Sequence, residues 1–190
     1  MFSKKFLLTQ VLFLVAAMAL LVLYLRQQPP RQMDVLGQVG NFHLTNSNGQ
    51  TVTLKDLRGK VWVADFFFTT CGSTCPMLSA HMGRLQKLFK PYSDVRLVSF
   101  TVNPENDNPQ ILKVYAQKFH ADPNRWIFLT GSREELTKVV VGSFKLGDIR
   151  NPIFHSSYFV LVDRKGRIRG YYDGTEGKII EKIAADLKRL

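Results

Sequence analysis

Val61-Trp62-Val63-Ala64-Asp65-Phe66-Phe67-Phe68 runs directly into Thr69-Thr70-Cys71-Gly72-Ser73-Thr74-Cys75-Pro76. Apart from Asp65 the first eight residues are apolar, mostly β-branched or aromatic, which is the pattern of a strand buried on both faces. Pro76 suits the first turn of a helix, and Leu78, Met82, Leu85, Leu88 and Phe89 recur behind it at helical spacing. Both cysteines therefore fall in the turn between a buried strand and a helix N-terminus. Backbone N–H groups and the helix dipole favour anions there, so the thiolate is stabilised, and thiolate is the form that ligates metals or attacks disulfides. The chain of 190 residues has only these 2 cysteines. A disulfide framework would need more of them, spread more widely, so the pair is read as serving local chemistry.

The flanking sequence sets the architecture. Residues 95–102 form a second apolar strand, punctuated by Asn103-Pro104 and Asn108-Pro109, and Pro109 opens a helix to about residue 119. Residues 126–129 read as a short strand, and Ser132 with Glu135 predicts a capping box for a helix over 133–143. A strand at 157–162 turns through Asp163-Arg164-Lys165-Gly166 into another at 167–172. A last amphipathic helix is predicted from Thr175 to Leu190. Ahead of all these, residues 42–44 and 51–54 flank Ser47-Asn48-Gly49 as a hairpin, followed by a polar connection over 55–60. Helix-linked strands come first and a hairpin-linked pair last. That order predicts an α/β fold, a thioredoxin-like mixed sheet with helices on both faces and an N-terminal hairpin.

Residues 6–25 carry no charge and only Thr9 and Gln10 as polar groups. As a helix this stretch measures about 30 Å, the hydrocarbon thickness of a bilayer, and predicts an N-terminal transmembrane helix. Lys4 and Lys5 precede it, so the positive-inside rule places the C-terminal domain in the periplasm or outside the cell, anchored to a bacterial inner membrane. The rival is a signal peptide cleaved at Ala17-Met18-Ala19, which would leave the apolar residues 20–25 at the new N-terminus. The expected division is a cytoplasmic stub and anchor over 1–26, a Gln/Pro/Arg-rich linker over 27–38 and a single domain over 39–190. Net charge is +11, about +8 of it beyond residue 26, but the basic residues are scattered. No basic block interleaved with aromatics and no nucleic-acid motif is found, so nucleic acid is not an expected partner.

Three residues separate the cysteines, where thioredoxin-type exchange uses two, and the wider loop leaves room for an ion. No proline adjoins the strand at 157–162; Phe154-His155-Ser156-Ser157 stands there instead, and His155 supplies a third donor. Two thiolates and an imidazole suit Cu(I) and adapt to Cu(II). Other uses of Cys71 and Cys75 stay open: a redox-active disulfide in a thiol-disulfide oxidoreductase, a thiol peroxidase, or an inert disulfide. The peroxidase context is missing, since Phe68 stands three residues before Cys71. His43, His81, His120, Met77 and Met82 read as surface or packing residues, and Asp65 as a buried acid.

On these residues the chain resembles the copper-binding SCO/SenC proteins, which assemble cytochrome c oxidase. The resemblance is carried by Phe68–Pro76, by Ser99-Phe100-Thr101-Val102-Asn103-Pro104, and by His155 ahead of a strand ending in Asp163-Arg164-Lys165-Gly166. It spans residues 39–190, together with the N-terminal anchor. It implies a copper metallochaperone that holds the ion with Cys71, Cys75 and His155. The recipient would be the copper-bearing subunit of a respiratory oxidase or another copper protein. Members have also been linked to thiol redox roles. Gly72-Ser73-Thr74 lacks the acid many members carry between the cysteines, and Asn103 replaces a common Asp. Neither position is a donor, so the departures bear on partner recognition and not on the metal.

Overall fold

A computed structural model describes residues 4–27, 33–146 and 157–190. The chain divides into two compact units, Met1–Gln32 and Met33–Leu190. The first holds helix α1, Lys4–Gln27, of 24 residues. The side chains described in it are Leu8, Gln10 and the run 12–24, all exposed. Among the described residues, no helix is long and apolar enough to cross a membrane. The expected span, residues 6–25, lies within the continuous helix α1.

The second unit is built on a mixed sheet. Its strands are β1 (Gly37–Gln38), β2 (His43–Asn46), β3 (Thr51–Thr53), β4 (Val61–Phe67), β5 (Val95–Thr101), β6 (Trp126–Thr130), β7 (Tyr158–Val162) and β8 (Arg167–Asp173). Among the described residues the order is β1-β8-β7-β4-β5-β6-β2-β3. Strands β4, β5 and β6 are parallel, with Val63 opposite Leu97 and Leu97 opposite Trp126. Strand β7 lies antiparallel on the other side of β4, with Ala64 opposite Val160. The N-terminal hairpin β2–β3 joins through β6, with Thr45 opposite Thr130.

All seven residues of β4 are buried, as their apolar run requires. Alternation along the strand feeds two cores. Val61, Val63 and Phe67 pack with helices α3 (Thr74–Leu88), α4 (Pro109–Lys118) and α6 (Ile179–Leu187). Trp62, Ala64 and Phe66 pack on the opposite face with α2 (Leu54–Leu57) and α5 (Arg133–Thr137). The thioredoxin-like arrangement with helices on both faces is therefore observed.

Local departures from the sequence reading have local causes. The polar connection at 55–60 contains α2, because Thr53 and Asp56 form a capping box and Leu54 and Leu57 are buried. The helix expected over 133–143 is α5 followed by a π-helical turn, Lys138–Ser143. Val139-Val140-Val141 crowds an α-helix and Gly142 weakens it, while the wider turn buries Val139 and Val140. Helix α6 starts at Ile179 instead of Thr175, because the Asp173 carboxylate takes the Thr175 amide (2.9 Å) and hydroxyl (2.7 Å) into a turn. Helix α3 begins at Thr74, two residues before Pro76, so Cys75 lies inside its first turn.

Gly174 joins the end of β8 to this layer. A Cβ there would lie 2.2 Å from Leu78 Cδ2 and 2.7 Å from the Ser157 carbonyl oxygen. The carbonyl belongs to the backbone and cannot swing away. Gly174→Ala is expected to destabilise the fold by about 1–3 kcal/mol, read from the denaturant midpoint at unchanged slope.

Candidate metal centre

The site begins where β4 stops. The Val102 amide donates to the Phe67 carbonyl at 2.8 Å, the last ladder bond between β4 and the end of β5. Beyond it Thr69 is held by Asp107, a buried acid in the loop after β5: the Thr69 amide donates to Oδ2 at 3.1 Å and the Thr69 hydroxyl donates to Oδ1. The Cys71 amide then donates to the Phe68 carbonyl at 3.2 Å and closes a turn. This turn sets Cys71 against the start of α3, where the Cys75 amide donates to Cys71 Sγ at 3.4 Å. The Ser73 hydroxyl lies 3.8 Å from the same sulfur.

Both cysteines are free thiols, and both are buried, Cys71 at 8 % exposure and Cys75 at 0 %. Their protonation differs. For Cys71, burial raises the pKa, but the Cys75 thiol, the Ser73 and Cys75 amides and the Ser73 hydroxyl outweigh it, leaving the value below 9.0. Cys75 is pushed well up, first by burial, then by donating to Cys71 and by the nearby negative charges of Cys71 and Asp65. The pair thus offers one thiol at the mouth that gives up its proton more easily than usual and one behind it that holds its proton more tightly.

Among the described residues, no group of three or more His, Cys, Asp or Glu side chains could hold a metal ion. The structure brings Cys71 and Cys75 together, and His155 lies outside the described residues. Of the other donors weighed, Met82 is in the core and Met77 is 38 % exposed in the first half of α3. His81 is half-buried beside Phe159 at 6.5 Å between rings, and its Nδ1 has no hydrogen-bond partner among the described residues. His43 and His120 are exposed. The sequence reading missed Asp107, whose surroundings, Asn106-Asp107-Asn108-Pro109, read only as turn chemistry.

A family model described as SCO1/SenC matches residues 31–190. The chain belongs to the SCO1/SenC family. The solved SCO1/SenC family lipoprotein from Bacillus anthracis str. Ames is 40% identical, with a TM-score of 0.77 over 84% of this chain and 98% of that one. BsSco, described as having a disulfide switch and as a member of the Sco family of cytochrome c oxidase assembly proteins, is 38% identical, with a TM-score of 0.73 over 84% and 97%. ScoI of Bradyrhizobium japonicum, solved with copper bound, is 29% identical, with a TM-score of 0.66 over 80% and 98%.

Behind the thiols of this SCO1/SenC domain lies Asp65, fully buried on β4 opposite Ser99. By alternation it faces the α3 layer, with Val63 and Phe67. Neither of its carboxyl oxygens has a hydrogen-bond partner among the described residues. Burial raises its pKa from 3.8 to about 7, against weaker downward pulls from the Ser99 hydroxyl and its own backbone. As pH rises above 3.8, the unfolded carboxyl ionises while the folded one keeps its proton, so unfolding is favoured until the folded group ionises near pH 7. In the reduced, metal-free protein this one group should cost on the order of 4 kcal/mol of stability between those limits. Chemical denaturation across that range should show the loss in the wild type, and Asp65→Asn should lack it.

Proposed function

We propose that this protein is a copper metallochaperone. It holds the ion with Cys71, Cys75 and His155 and passes it by ligand exchange to the copper-bearing subunit of a respiratory oxidase or to another copper protein. The observation that carries this reading is the thiol pair, with the Cys75 amide on Cys71 Sγ. Soft sulfur donors select Cu(I), and added imidazole suits Cu(II). A bound copper ion would displace the proton of the buried Cys75 thiol, and the helix N-terminus would offset the charge left on the sulfurs. The copper-bound relative and the oxidase-assembly description of BsSco support the same reading.

Chain geometry supports His155 as third ligand. The antiparallel register of β4 with β7, Ala64 opposite Val160, sets the Ser157 end of β7 beside the end of β4 from which the cysteine loop departs. Ser157 accepts the Gly174 amide at 2.9 Å, and Gly174 also abuts Leu78, three residues past Cys75 on α3. In the sequence His155 stands two residues before Ser157, and two residues of chain reach at most about 7 Å.

For α1 we propose a single-pass anchor in a bacterial cytoplasmic membrane, with residues 1–26 as stub and anchor, 27–38 as linker and 39–190 as the domain outside. Residues 6–25 are uncharged and follow Lys4 and Lys5. The description of the Bacillus anthracis relative as a lipoprotein supports membrane attachment of this domain.

Titration of the reduced protein against a Cu(I) chelator should give one tight site, lost in Cys71→Ser and in Cys75→Ser. His155→Ala should weaken Cu(I) only in part, since two thiolates hold that ion, and should alter the Cu(II) absorption spectrum much more. Wild-type affinity in Cys75→Ser would refute the site. An unchanged copper spectrum in His155→Ala, with disulfide-reducing activity collapsed, would make thiol exchange the function.

The protein should stay in the membrane fraction through alkaline and high-salt washes, with its C-terminus open to protease added outside the cytoplasmic membrane. A mature N-terminus at Leu20 would show cleavage and remove the anchor.

A further inference from the structure

Asp107 is at 0 % exposure although it lies in a loop, and every contact given for its carboxylate comes from a donor. The Asn103 amide donates to Thr101 Oγ1 at 3.0 Å, so the Thr101 hydroxyl spends its own hydrogen on Asp107 Oδ2, at 2.5 Å. Oδ2 also takes the Thr69 amide at 3.1 Å, and Oδ1 takes the Thr69 hydroxyl. One carboxylate therefore ties the end of β5 to the second residue past β4, just before the cysteine turn. Thr69 and Cys71 are two residues apart, and the Cys71 amide bond to Phe68 spans the turn between them.

We propose that Asp107 is the positioning residue of the thiol pair: by fixing Thr69 it holds the Phe68–Cys71 turn closed, so that Cys71 Sγ sits under the Cys75 amide. Removing one acceptor should loosen the turn while the strands behind it remain. An asparagine at 107 has the shape but only one acceptor oxygen. If that oxygen takes the place of Oδ1, the amide nitrogen faces both the Thr69 N–H and the Thr101 hydroxyl, donor against donor; if it takes the place of Oδ2, the Thr69 hydroxyl loses its acceptor and the Thr69 amide keeps one oxygen instead of sharing two. Metal affinity follows, because ligands that are not held in place must be ordered at the moment of binding. Only this last consequence rests on the copper reading.

The geometry supplies a readout that needs no metal. Cys75 is the second residue of α3, where an amide has no partner within the helix, so its protection comes from Cys71 Sγ. The Thr69 amide likewise depends on Asp107. The experiment is amide exchange by NMR on the reduced, metal-free full chain in detergent micelles, for wild type, Asp107→Asn and Thr69→Val, with Val63 in mid-β4 as the reference for global opening. In Asp107→Asn the Thr69 and Cys75 amides should exchange about tenfold faster relative to Val63. Thr69→Val, which removes only the hydroxyl bond and leaves the fold intact, should speed Cys75 by a smaller factor. Cu(I) affinity should fall on the order of 10–100-fold in Asp107→Asn. Cys75 exchange unchanged relative to Val63 in both variants would overturn the proposal and leave Asp107 as a general structural acid. A wild-type chain that binds no copper would defeat the metallochaperone reading, while the Cys75 comparison would still decide the role of Asp107.

Discussion

Burial of β4 on both faces is the constraint from which the site follows. With parallel β5 along one edge, antiparallel β7 along the other and a core against each face, the strand has no free surface along which to shift. A one-residue slip would send Trp62 and Phe66 to the wrong layer. The point at which the chain leaves the sheet is therefore fixed, and a short loop from that point reaches the first turn of α3. Asp107 adds a second point of attachment, so the cysteine turn is held at its start by β5 and at its end by the helix.

The same rigidity accounts for the polar groups in the α3-facing layer. Trp126 Nε1 donates to Ser99 Oγ at 2.7 Å, and the Ser79 and Tyr115 hydroxyls pair at 2.9 Å. These groups satisfy one another, whereas Asp65, beneath the thiols, has no hydrogen-bond partner among the described residues. An unpaired buried acid is costly. Its presence in this layer, together with the buried Cys75 thiol, makes the interior behind the loop an environment where removing a proton is difficult, whereas Cys71 at its edge gives up its proton more easily. Any metal that binds there competes with protons, and its affinity depends on pH for that reason.

What could be read from the sequence was what repeats or is contiguous. Two-sided burial marked β4 and β5, the helical period marked α3, Pro109 marked the start of α4, and Asn-Pro steps marked the breaks. The π-helical turn at Lys138–Ser143 and the late start of α6 depend on how Val139 and Asp173 meet their surroundings, which no local pattern records. At the site, the cysteine spacing was legible and matched the family found by comparison. Asp107 was not, because its partners lie 38 and 6 residues away and become neighbours only through β4–β5 pairing. His155, outside the described residues, is proposed from the sequence and from the register of the flanking strands.

The insertion of β7 beside β4 has a consequence for synthesis. In the chain order, β4 acquires its β5 partner about thirty residues after it is made, but its other edge waits for residues 158–162. Until then a seven-residue apolar strand presents an open row of backbone groups with two reactive thiols at its tip. If the domain is exported unfolded, that edge and those thiols arrive together in an oxidising space before the last third of the sheet can cover them. Late-arriving β7 is then a safeguard as well as a scaffold, and the interval before it docks is when the chain is most exposed to strand-to-strand aggregation and to premature oxidation.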